Sequence, residues 1–211
     1  MKYILGPFII LFVFAGNAVF AQKDTTTFYL DTTLTLVAKA KATCVEKIYQ
    51  QGQLWHTSIS YIYKPYRIMT GSYSDKTLST AEGLFTYFLR DTMIMQGNYH
   101  DGQQDGIWKK WTTGGLITDS VYFNGGRVIG QAKYQYHVNN HLWRYSLETS
   151  DQEKITNIYD TADVLISQGR FKDRDGEMFL YYPNGKTKSH SIYKNNQRII
   201  YELFDENGNK Q

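Results

Sequence analysis

The chain has one cysteine in 211 residues, so no internal disulfide can staple it. Cys44 lies between Thr43 and Val45 in an apolar stretch, where a buried thiol is the expected role. It is also far downstream of the N-terminal apolar run, which excludes the cleavage-site cysteine of a bacterial lipoprotein. Prolines number only three. Charge of one sign is lacking too: 23 basic against 20 acidic residues leave +3, with no basic run or stripe. The electrostatic argument for nucleic acid is thereby removed. No Gly-x-Ser-x-Gly, P-loop or dinucleotide fingerprint occurs. His56, His100, His137, His141 and His190 show no metal-ligand spacing, so neither a metal nor a cofactor is expected. Asp101, Asp105, Asp173 and Asp175 occupy turn positions where Asp is chosen for backbone reasons. Asp173 to Glu177 has part of a calcium loop but lacks the third acid and the distal Glu, so a hairpin turn is expected. With no carboxyl pair converging on a cleft, the expectation is a chain that is not an enzyme.

Residues 1–21 read as a secretory signal peptide. Lys2 gives the positive start, Phe8 to Phe14 the apolar core, and Val19-Phe20-Ala21 a cleavage site. The apolar run is too short to span a bilayer comfortably. No later segment has the length to cross a membrane, so no transmembrane segment is expected after cleavage.

What the chain has in quantity is aromatic residues and glycine: 18 Tyr, 11 Phe, 4 Trp and 17 Gly. They concentrate in GNYHDGQQDGIWKKWTTGGL, residues 97–116. Asp101-Gly102 and Asp105-Gly106 are turn dipeptides, flanked by strand-favouring aromatics. The segment reads as a β-hairpin. Alternation puts Trp108 and Trp111 on opposite faces unless a bulge intervenes.

Related patterns recur. Lys47 to Leu54, Ser120 to Val128 and Ser191 to Ile199 each read as β-branched-Tyr, a Gly/Asn/Gln turn, and an aliphatic restart, with Thr156 to Val164 as a fourth. A Gly-x-aromatic, turn, Gly-x-apolar pattern joins Gly71/Tyr73 with Gly83/Phe85, Gly97/Tyr99 with Gly106/Trp108, and Gly169/Phe171 with Gly176/Met178. A decayed copy is expected at Tyr134, His141 and Trp143. Before the repeats, Lys23 to Thr27 reads as a flexible lead-in, and Phe28-Tyr29-Leu30 with Leu34 to Val37 as a first strand pair. Ala38 to Ala42 is ambiguous between strand and helical turn. The fold expected is all-β: serial antiparallel β-hairpins forming an elongated twisted sheet. The divisions are a signal peptide at 1–21, N-terminal strands or cap at 22–44, repeats at 45–205 and a polar tail at 206–211.

The 97–116 stretch and GRFKDRDGEMFLYYPNGK at 169–186 resemble the MORN-like repeats of the YwqK-type antitoxin family, whose exported members are frequent in Bacteroidota. The resemblance covers roughly residues 45–205 and is diluted at 132–166, where His141 stands for the expected Gly. It implies hairpins stacked side by side into a long sheet, and it implies no catalytic residue.

The function expected is an exported, non-enzymatic protein-binding or scaffold module of the cell envelope, periplasmic, outer-membrane-associated or secreted. The alternatives are an antitoxin or immunity protein, as the family label implies, and a binder of glycan or membrane surfaces through exposed aromatics. Candidate binding residues are Tyr99, Trp108, Lys109, Trp111 and Trp143, with core or cross-strand packing as the competing role of the aromatics. Asp-Thr/Ser at Asp24, Asp31, Asp91, Asp119 and Asp160 resembles an O-glycosylation sequon, against a plain turn or strand-entry role.

Overall fold

The computed structural model describes residues 23–64 and 66–211. The signal peptide expected at 1–21 lies outside the described residues. Fifteen strands follow in order: β1 (Lys23–Leu30), β2 (Cys44–Gln51), β3 (Leu54–Tyr61), β4 (Arg67–Tyr73), β5 (Gly83–Leu89), β6 (Thr92–His100), β7 (Gln103–Trp111) and β8 (Ile117–Asn124). The second half holds β9 (Arg127–Tyr136), β10 (Leu142–Thr149), β11 (Glu153–Tyr159), β12 (Leu165–Lys172), β13 (Asp175–Tyr181), β14 (Thr187–Lys194) and β15 (Gln197–Leu203). All join one antiparallel sheet in sequence order. The chain is therefore all-β, a series of hairpins in one sheet. At about 4.8 Å between strands, the ribbon runs about 65–70 Å along its hydrogen-bonding direction. Among the described residues, substantial contacts link only consecutive strands, so each hairpin depends on its neighbours for burial.

The turns explain the regularity. On one edge, Asp101-Gly102, Gly125-Gly126 and Asn195-Asn196 put both central residues at positive φ, between 48° and 76°. That backbone matches the twist of the strands it joins. The opposite edge repeats one five-residue loop at 31–35, 112–116, 137–141, 160–164, 182–186 and 205–209. In each, the first amide donates to the fifth carbonyl, and the fourth amide to the first carbonyl. The fourth residue is always left-handed: Leu34, Gly115, Asn140, Asp163, Gly185 and Gly208. The first residue often caps its own loop. Asp160 Oδ1 accepts from the amides of Ala162 and Val164 at 2.8 and 3.0 Å, and Asp205 does the same for Asn207 and Asn209.

Register slips between Ile59 and Ser60, Tyr87 and Phe88, Lys110 and Trp111, and Ile192 and Tyr193 bulge the strand pairs. Such bulges strengthen the right-handed twist, so the ribbon coils. Burial is thin and local. Leu30, Cys44 and Ile59 form a small cluster with Ile68 and Met69 against it. Further along, Phe85, Trp108 and Ala132 are buried.

Several expectations are corrected. Lys23 to Thr27 is not a lead-in but part of β1, whose partner is β2. Leu34 to Val37 forms no strand; it belongs to a capped loop and makes a single bridge, Leu36 to Leu30. Lys39–Lys41 is a 3-10 turn. The decayed copy at Tyr134 and Trp143 is out of phase, because a five-residue loop separates β9 from β10 where a two-residue turn separates β6 from β7. Thr156 to Val164 likewise runs into a loop of the opposite edge from the three stretches it was grouped with. Spacing between aromatics does not reveal on which edge a turn lies.

Candidate functional site

The aromatic residues of the repeats first build a ladder. Tyr73, Phe85, Tyr99 and Trp108 meet edge to face across β4 to β7, with ring centroids 5.3, 4.7 and 5.0 Å apart. This geometry aims each ring's positive edge at the next ring's negative face. Glycine makes room: Phe85 covers Gly71, and Trp108 covers Gly97. Trp108 Nε1 donates to the Asn98 carbonyl at 2.9 Å, which satisfies the one polar atom of the indole. Burial raises the phenol of neighbouring Tyr87 to about 12.

Of the sequence-derived binding residues, the ladder brings together Tyr99 and Trp108. Trp108 is only 4% exposed, so as it stands its face is closed to a ligand. Lys109 pairs with Gln96 and Ser120 on the other face of the sheet. Trp111 is half-buried beyond a bulge. Trp143 is 42% exposed, but on β10, with His137 as its ring neighbour at 6.4 Å. These five residues do not form one surface.

Between β7 and β8 the aromatic row changes face. Trp108 stands opposite Val121, so Tyr122 points to the other side, together with Tyr134 and Tyr145. On the same face, the paired Ser120 and Ala132 are buried. Burial raises the Tyr122 phenol above its ordinary value and lifts that of Tyr145 to about 12.

A groove whose walls carry uncovered apolar groups lies elsewhere, on the edge formed by the β1–β2, β3–β4 and β5–β6 connections. It measures about 550 Å³ and is lined by Thr32, Thr43, Tyr61, Tyr63, Lys64, Tyr66, Ile68, Phe88, Leu89 and Arg90. Tyr63 is 84% exposed, and Tyr61, Tyr66 and Leu89 are exposed as well. The groove has a firm base. Tyr61 N donates to Tyr66 O at 3.0 Å, Ile62 N to Thr43 O at 3.0 Å, and Ile68 packs on the Leu30–Cys44–Ile59 cluster. The Arg67 guanidinium lies 4.2 Å from the Phe88 ring centre and pairs with Asp91 at 2.7 Å. That pair holds the Asp91 carboxyl below its usual value.

The aromatic groove escaped the sequence reading because YIYKPY at 61–66 lies outside the glycine-anchored pattern. Its signal was present: three tyrosines within six residues around Lys64 and Pro65, of which Tyr61 ends β3 while Tyr63 and Tyr66 lie outside the strands. A second grouping was equally hidden. Lys133, Arg144 and Lys154 come from three strands to one 250 Å³ depression with Ser146, Thr156 and Glu148, and Lys154 lies 3.5 Å from Glu148.

Among the described residues, one cluster has metal-capable groups, Glu82, His100 and Asp101. Glu82 accepts from the Asp101 amide at 3.0 Å and lies 3.2 Å from His100 Nδ1. These bonds hold Glu82 below its ordinary value and lift His100 above its own. The cluster thus binds a proton well, which opposes a cation at the same nitrogen. Among the described residues, no helix is long and apolar enough to cross a membrane.

No family model matches the chain, and no curated protein matches it.

Proposed function

We propose that the chain is a non-enzymatic binding module of the cell envelope that holds a protein partner in the Tyr61–Phe88 groove. The observation that carries this reading is the exposure of Tyr61, Tyr63, Tyr66 and Leu89 around one cavity. Large apolar groups gathered on a surface mark contact sites, since covering them removes area from water at about 25 cal/mol per Å². Tyrosine suits such a role because its ring is rigid and its hydroxyl tolerates water. The sheet behind the groove supplies a framework that binding need not reorganise. The MORN-like resemblance of residues 97–116 and 169–186, and the leader-like residues 1–21, support an exported scaffold.

The test is a photocrosslinker at position 63, with a control at Arg127 on the opposite edge. A single protein crosslinked at 63 alone is expected. Once purified, it should form a stoichiometric complex with the chain that Tyr61→Ala with Tyr66→Ala weakens at least about tenfold. Equal crosslinking at both positions, or a complex indifferent to the tyrosines, rejects the groove.

A further inference from the structure

We infer that the occupant of this groove is an acidic, apolar peptide segment, with a Phe- or Leu-sized side chain flanked by carboxylates. This rests on the groove being the binding surface and adds the chemistry of what enters it. The walls are apolar, and the charges on them are of one sign. Lys64 and Arg90 line the groove, and among the described residues no carboxylate does.

The two nearest acids along the chain are already engaged. Asp91 is held by Arg67 at 2.7 Å. Asp31, beside Thr32, turns its carboxylate back on its own loop, taking the Thr33 and Thr35 amides at 2.8 and 3.1 Å. Among the described residues, Lys64 and Arg90 therefore remain on the groove wall without an ion-pair partner.

A basic segment would meet like charge there, and a neutral one would desolvate two cations without pairing them. A carboxylate does the opposite, and the Arg90 fork can take it through two parallel hydrogen bonds. A neutral glycan fits less well. Its vicinal hydroxyls call for side-chain amides or carboxylates in the ring plane, and none lines the groove among the described residues.

The experiment uses the chain and three labelled hexapeptides in which phenylalanine alternates with glutamate, glutamine or lysine, followed by fluorescence anisotropy. The glutamate peptide is expected to bind at least about tenfold more tightly than the lysine peptide. Lys64→Glu with Arg90→Glu should abolish or invert that order while thermal unfolding stays unchanged, both sites being exposed. Equal binding of all three peptides overturns the inference and leaves the groove reading standing. If none binds, the inference falls as well, and the crosslinking at position 63 decides the groove reading on its own. Binding to phosphatidylglycerol vesicles or laminarin without any peptide preference overturns it in favour of a membrane surface or a glycan.

Discussion

Trp108 covers Gly97 so closely that a β-carbon on residue 97 would overlap the indole ring. The ladder from Tyr73 to Trp108 depends on such vacancies, and the contact gives a prediction whose sign is informative. In a strand, Gly→Ala normally stabilises by up to about 1 kcal/mol. Here Gly97→Ala should destabilise by about 1–3 kcal/mol, since the ring must leave its place. Urea unfolding measures it. With Trp108→Leu already in place, the same alanine should be neutral or stabilising; a stabilising effect in the native background would refute the contact.

The Glu82–His100 tie should depend on pH in a defined window. His100 titrates above its ordinary 6.5, because Glu82 accepts its hydrogen bond. Its contribution is complete below 6.5 and fades as the pH rises through the raised value. Glu82 titrates below 4.5, through the Asp101 amide first and His100 second. Its contribution is complete above 4.5 and fades as the pH falls through the lowered value. The Tm difference between the chain and His100→Ala should therefore be largest between these limits and shrink as the pH rises through the raised value of His100. A difference constant with pH would exclude the tie.

At the alkaline end, Tyr87 and Tyr145 should be the late phenols, near 12 where a free tyrosine is at 10. Both are raised chiefly by burial, so the native state holds their protons more firmly than the unfolded chain does. The stability this gives is complete below pH 10 and is lost as the pH climbs towards 12. Spectroscopic titration of phenolate should lose one late proton in Tyr145→Phe and another in Tyr87→Phe. Ordinary titration of both residues would contradict their packing.

Cys44 is 1% exposed and sits in the cluster joining β1 to β4. A thiol reagent should modify it only as fast as those strands open, with urea accelerating the reaction. Immediate stoichiometric labelling in native buffer would be inconsistent with this core.

Local stability should fall towards β15. Six of its seven residues are exposed, Ile199 and Tyr201 among them, and among the described residues it pairs with β14 alone. Amides of β15 should exchange with solvent well before those of β5 to β7, where Phe85 and Trp108 are buried. Uniform protection would mean that the sheet opens as one unit and not from its edge.

The hairpin at 97–111 was legible because Asp101-Gly102 states its backbone geometry locally. Asp105-Gly106, read as a second turn, lies instead inside β7, where Asp105 pairs with Asn98 and Gly106 has positive φ next to a register slip. The five-residue loops were legible in principle. Their starts at 112, 137, 160, 182 and 205 are 25, 23, 22 and 23 residues apart. Yet the fourth position is filled by Gly, Asn or Asp, and by Leu34 in the loop at 31–35, so no single letter announces the loop. Asp31-Thr32-Thr33 and Asp160-Thr161-Ala162 prove to be loop starts whose Asp oxygens bond the local backbone. The candidate binding residues were drawn from the glycine-rich pattern. That pattern selects rings with a vacancy to fill, which is why Trp108 is buried rather than offered to a ligand.

Sequence alone determined that this chain folds as successive antiparallel hairpins, because turn geometry and strand preference act within a few residues. Only the tertiary structure decided which face each aromatic row occupies, since a register slip or a neighbouring glycine moves a ring from one side of the sheet to the other. It alone also decided that Tyr61, Tyr63 and Tyr66 meet Phe88, Leu89 and Arg90 from a different hairpin. That meeting depends on the twist accumulated between strands, to which no single segment of the chain holds the key.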